Sequence, residues 1–199
     1  MSFEFALREN EMLPVPTGAS KTALIQTGER VREDVGMQSG FDLSDLVQTN
    51  SGKIINQEPL SEGDQTRAFE MDTDGTFRIY VSMLRSALSN NMIIATELGH
   101  RVLHSNAFRR NNPGKTMVVP KLIGDFGADL NRCKWEAFWF AQGLLMPEVK
   151  FKATVEEIGL KEASALYAIP EKGAQDRYDW ILQSRDYSGA DLDTATGPS

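Results

Sequence analysis

The sequence predicts an α+β fold, a small antiparallel sheet followed by a helical bundle. Three observations carry this. Alternating apolar residues in the middle of the chain surround Asp72-Thr73-Asp74-Gly75, a hairpin turn signal. From about residue 90 onward the apolar residues recur at helical spacing. The 199 residues, 41% of them apolar, suffice for one ordinary core plus a tail.

Residues 1–21 carry Pro14, Pro16 and Gly18 and read as an irregular lead-in to a domain spanning 22–185. Leu24, Gly28, Val31 and Val35 recur at helical spacing, with Gly36 as the stop. Asp42 opens a second short helix and Gly52 closes it. Lys53 to Asn56 is a strand, and two more flank the hairpin turn. In the second of these Phe77, Ile79 and Val81 alternate with Arg78, Tyr80 and Ser82, so one face is buried. Asn90 or Asn91 caps a helix running to about His104. Residues 105–128, with Asn111-Asn112-Pro113-Gly114, read mostly as a long loop. Asp129 caps an apolar helix to about Met146, stopped by Pro147. Further helices are expected near 148–157 and 160–168 and from Glu171 to Gln183. The polar stretch 186–199 is expected to be a disordered tail.

Composition excludes several classes. No run of about 18 apolar residues is present, so no helix is expected to span a membrane. The opening Met1-Ser2-Phe3-Glu4 has neither part of a signal peptide, and the lone Cys133 fits a reducing cytoplasm. A net charge of −7 argues against direct nucleic-acid binding, and the short Arg109-Arg110 pair reads as solvated. No glycine-rich phosphate loop occurs, and Cys133 has no histidine near it in sequence to activate it.

One segment carries chemistry: Ile93-Ile94-Ala95-Thr96-Glu97-Leu98-Gly99-His100-Arg101-Val102-Leu103-His104. A zincin helix reads His-Glu-x-x-His. Its two histidines share one face and hold Zn²⁺, while the glutamate serves as general base for the bound water. Here Thr96 stands in the first histidine's place, with Glu97 and His100 in the places of base and second ligand.

A second segment, Lys134-Trp135-Glu136-Ala137-Phe138-Trp139-Phe140-Ala141-Gln142-Gly143-Leu144-Leu145-Met146-Pro147, resembles a signature of the ImmA/IrrE (DUF955) zinc peptidases, Glu-x-x-Ala-Asn/Asp-x-Phe-Ala-x-x-Leu-Leu-Met-Pro. Ala163 to Leu182 is similar to that family's closing helices, with Arg177 at a recurrent arginine, and the resemblance covers roughly residues 22–183. It implies a zincin-like, minimal thermolysin-like fold. It also implies descent from site-specific peptidases of mobile elements and stress responses that cleave helix-turn-helix repressors. The family's third ligand is the glutamate that opens this signature; here Lys134 holds that position, and Phe138 replaces a supporting Asn/Asp. Two of three implied ligands are therefore absent.

The replacements do not restore the site. A hydroxyl is a poor zinc donor, and an ammonium has no lone pair. On a helical wheel Lys134, Ala137, Phe138, Ala141 and Leu145 form one stripe, and Glu136 lies about 160° from Phe138. Glu136 is thus expected to be a solvated glutamate, and His104 a helix-end histidine near the C-terminal dipole. Lys134, bringing positive charge where zinc would have been, is expected to pair with Glu97, so that Lys134→Met destabilises more than Glu136→Gln. The aromatic crowd Trp135, Phe138, Trp139 and Phe140 cannot all face one core; it fits a central helix covered on both sides or, in part, an exposed contact surface.

Three functions follow. The first is a catalytically inactive pseudoprotease, with no cofactor, that binds a protein regulator such as a helix-turn-helix repressor or a homologous peptidase. The second is an active zinc peptidase with an atypical site using His100, Glu97 and either Glu136 or His104. The third is a structural module of a larger assembly.

Overall fold

Helix α1 (Lys21–Asp34) starts where the Ser20 hydroxyl accepts a hydrogen bond from the Ala23 N–H, and it ends before Gly36, whose φ of 64° turns the chain out of the helix. The computed structural model describes residues 7–57, 67–121 and 127–190, with side chains through residue 183. Helix α2 (Leu43–Thr49) is capped by Asp42, as its sequence predicts, although the left-handed residue at its end is Ser51 rather than Gly52.

The sheet has five strands among the described residues: β1 (Glu11–Met12), β2 (Gly52–Gln57), β3 (Arg67–Met71), β4 (Phe77–Ser82) and β5 (Thr116–Pro120), in the order β1-β5-β3-β4-β2. The hairpin lies where it was expected, with Gly75 at φ 92° in its turn. Phe77, Ile79 and Val81 face the core. The sheet is mixed, however, not purely antiparallel. β2 runs parallel to β4 with Ile54 opposite Ile79, and β1 runs parallel to β5. The β3–β4 hairpin returns toward β2 and inserts β4 between β2 and β3, so β4 meets β2 head to head. Alternation shows which face of a strand is buried but not the direction of its neighbour.

Eight helices complete the described residues. Helix α3 (Ala87–Leu103) is capped by Ser86, not by Asn90 or Asn91. Those two amides instead donate to the carbonyls of Ser82 and Ala168 and tie the helix to its surroundings. The expected long loop at 105–128 is mostly ordered: α4 (Ser105–Asn111) and β5 occupy it, with 122–126 outside the described residues. Arg109 and Arg110 are exposed in the last turn of α4. Helix α5 (Ala128–Leu145) follows, with Gly127 at its N-cap in place of Asp129. Then come α6 (Glu148–Ile158), α7 (Leu160–Leu166) and α8 (Glu171–Ala190). α8 continues past Gln183 into the stretch read as a tail, and 191–199 lie outside the described residues. No helix among the described residues is long and apolar enough to cross a membrane.

The core joins the inner face of the sheet (Phe69, Ile79, Val119) to α3 and α5 (Leu98, Phe140, Leu144) and to the closing helices (Phe151, Ile181). α5 is central, flanked by α1 and α3. A Cβ on Gly143 would stand 2.0 Å from the Ile25 carbonyl oxygen, and one on Gly99 would stand 2.8 Å from that of Ala137. Glycine is what lets these backbones touch. The packing sets α3 and α5 side by side, with the two motif segments facing each other.

Candidate functional site

Helix α3 presents Ile93, Thr96, Glu97 and His100 to one cavity, while Ile94, Ala95 and Leu98 turn into the core. This is the 3.6-residue period expressed as two faces of one helix. The cavity, of about 380 Å³, is closed by the sheet through Gln57, Ala68, Tyr80, Ser82 and Val119, by Arg85 and Lys121 at its rim, and by Lys134 of α5. The residues that the two motifs bring into register, Thr96, Glu97, His100 and Lys134, therefore meet around one space. Phe138 does not line it. It is half-buried beside Trp135, which is 56% exposed and stacks on Trp139.

Each group in the cavity has a definite state. The Thr96 hydroxyl donates back to the Met92 carbonyl at 2.9 Å, the local bond a helical threonine makes when nothing else claims it. Glu97 is buried, and its Oε2 has no hydrogen-bond partner among the described residues. Burial pushes its carboxyl up to about 8, against the pull of Lys134 and then Lys121. Near neutral pH it is therefore mainly a protonated acid. Lys134 and Lys121 are both lowered, first by burial, and for Lys121 also by the charge of Arg85. The expected Glu97–Lys134 ion pair is replaced by action at a distance. The two groups share the cavity and stabilise each other's charge, but no ion pair within 4.0 Å joins them among the described residues.

Behind the cavity lies a relay that the sequence reading missed. His100 Nδ1 sits 3.2 Å from His104 Nδ1, and His104 Nε2 sits 3.1 Å from Glu136 Oε2. Burial lowers both histidines; His104 and Lys134 add to the effect at His100, while Glu136 opposes it at His104. Both rings are thus neutral at neutral pH. That fixes the protons: His104 donates from Nε2 to the carboxylate and accepts at Nδ1, so His100 donates from Nδ1 and keeps an acceptor at Nε2. Glu136 is fully buried, which corrects its reading as a solvated glutamate. It accepts from the Thr17 N–H and hydroxyl (2.8 and 2.9 Å), the Gly18 N–H (3.0 Å) and Arg132 (3.1 Å) as well as His104. Burial would raise its carboxyl, but these donors hold it below its ordinary value. Gly18, at φ 74°, adopts the left-handed turn beside these donors. One clue lay in the sequence: the chain has only two histidines, four residues apart, and they bond to each other.

This donor set does not fit a zinc ion. The three positions to which the motif resemblance points offer a hydroxyl already bonded to its own helix, one imidazole and an ammonium. Glu136 and His104, the alternative ligands, do not line the cavity and are engaged in the relay. Among the described residues no group of three or more His, Cys, Asp or Glu side chains is placed to hold a metal. Cys133 is buried and its thiol is pushed up to about 12, first by burial and then by Glu136 and Asp129, so it is no nucleophile. No protein-family model matches the chain, and no curated protein matches it in sequence.

Proposed function

We propose that this chain is a catalytically idle, zincin-like relative of the ImmA/IrrE peptidases that binds a regulatory protein without cutting it. The partner would be a helix-turn-helix repressor or a homologous peptidase, met in the cytoplasm, and the origin a phage or mobile element. Support comes chiefly from one juxtaposition: the two motif segments meet around one cavity, and Thr96 and Lys134 stand in it where the resemblance would put metal ligands. A peptidase that loses its ligands but keeps its groove retains the capacity to bind. Glu97, at the general-base position, has a reason to persist other than catalysis, because a protonated carboxyl in a cavity is a hydrogen-bond donor.

Two measurements on the full chain test this. Metal analysis of protein purified in the presence of zinc is expected to give far less than one ion per chain. A photo-crosslinking residue placed at Thr96 is expected to capture a regulator of intact mass. One tightly held zinc per chain, together with chelator-sensitive clipping of a repressor, overturns the proposal.

A further inference from the structure

The rim of the cavity carries a charge arrangement that the relay and the motif do not explain. Arg85, Lys121 and Lys134 bring three cationic side chains to one opening. Arg85 and Lys121 are close enough for their charges to oppose each other. Neither makes an ion pair within 4.0 Å among the described residues, and Lys121 donates only to the Gln57 amide oxygen, at 2.7 Å. Facing them from α3 is Glu97, with a buried Oε2 that no group among the described residues satisfies. A buried polar atom without a partner is costly, and its presence in a cavity points to a ligand that pairs with it. Among the described residues, Arg85 and Lys121 outweigh Glu97 whether it is protonated or ionised, so the ligand this lining favours is an anion. About 380 Å³ admits a side chain or a small acid but not a folded surface. A hydrogen-bonding, planar carboxylate suits a guanidinium and an ammonium approached together.

We infer that this cavity is a carboxylate-binding site, with Arg85 and Lys121 as the charged clamp and Glu97 as the hydrogen-bonding floor. The carboxylate is an aspartate or glutamate side chain, or a free C-terminus, presented by the protein partner. Its source rests on the binding function proposed above; its chemistry rests on the cavity alone.

The test uses the full chain and defined probes: succinate, an N-acetylated, C-amidated Ala-Glu-Ala tripeptide, and the matching Ala-Gln-Ala and Ala-Lys-Ala tripeptides. Binding is followed by calorimetry and by backbone amide shifts along α3. The glutamyl peptide is expected to bind at least about tenfold more tightly than the glutaminyl one, and the lysyl peptide not at all. R85Q and K121Q, both at the rim and expected to fold, each weaken it about tenfold, whereas E97Q, which keeps a donor, holds it within about threefold. Equal binding of the glutamyl and glutaminyl peptides, binding of the lysyl peptide, or unchanged affinity in both R85Q and K121Q overturns the site. No carboxylate probe shifting α3 resonances at tens of millimolar does so as well. Succinate binding without the peptide overturns the peptide source. A captured regulator with no carboxylate binding sinks this inference and spares the proposed function, and carboxylate binding with zinc-dependent clipping does the reverse.

Discussion

Glu136 accepts hydrogen bonds from Thr17, Gly18, Arg132 and His104, with none of its surface left to water. Glu136→Gln places an amide NH₂ against N–H donors and strands at least one of them, at a cost of about 1–3 kcal/mol. Lys134→Met removes a charge that burial already disfavours. The order expected from the motif alone is therefore reversed: thermal unfolding of the two variants should show Glu136→Gln as the more damaging. Glu97 gives a prediction in pH. Its folded carboxyl is raised from 4.5 to about 8, so the native state binds the proton more tightly than the unfolded chain. Its contribution is fully present below about 4.5 and is lost as pH rises through about 8. The histidines act in the opposite sense: both are lowered, and their contribution is lost as pH falls below 6.5. Glu97→Gln should remove the alkaline loss and leave the acid loss in place. Urea midpoints at pH 5, 7 and 9 check this, and a variant no more stable relative to wild type at pH 9 than at pH 5 contradicts it.

Helix α5 is held along its side and at its C-terminal end. At its crossing with α1, Gly28 and Gly143 let the backbones meet: a Cβ on Gly28 would reach 2.1 Å from the Phe140 carbonyl oxygen. No side-chain rotation relieves a clash with backbone, so Gly143→Ala should force α1 away and cost about 1–3 kcal/mol or more by denaturant unfolding. Gly114→Ala serves as the control for glycine loss without a clash, since nothing lies within 4 Å of its Cβ position, although its φ of 78° carries its own strain. At the C-terminal end of α5, carbonyls that have no partner within the helix are met by two arginines. Arg32 donates to the Leu144 carbonyl at 2.8 Å, and buried Arg177 donates to that of Met146 at 3.2 Å and pairs with Glu29 at 3.1 Å. Arg177, singled out by the family resemblance, thus locks α8 to α1 and to the end of α5.

At the scale of the molecule, the segment read as a lead-in is part of the domain. β1 pairs with β5, Glu11 binds Arg67 at 2.7 Å, and Thr17 and Gly18 close over Glu136. Removing residues 1–19 should destabilise the whole fold, because it strips an edge strand and leaves Arg67 and Glu136 without key partners. A truncated chain that unfolds at the wild-type midpoint would show that these contacts add nothing. The aromatic side of α5 follows the same logic. Phe140 is buried in the core, while Trp135, Phe138 and Trp139 run up the half-covered side, with the Arg132 guanidinium 5.0 Å from the Trp139 ring.

The sequence by itself determined the elements whose signals are local. The hairpin at Asp72–Gly75, the Asp42 cap and the Pro147 stop each act within a few residues, and backbone stereochemistry reads them directly. The resemblance carried by the two segments implied that Thr96, Glu97, His100 and Lys134 share one site, and the fold brings the four around one cavity. Only the tertiary structure decided the strand directions, the cap at Ser86 and the fate of Glu136. A helical wheel divides a helix into an inside and an outside, whereas α5 has neighbours on more than one side. Desolvation of Glu136 depended on where a distant stretch around Thr17 settled, and that is a matter of long-range packing, which no short window of residues encodes.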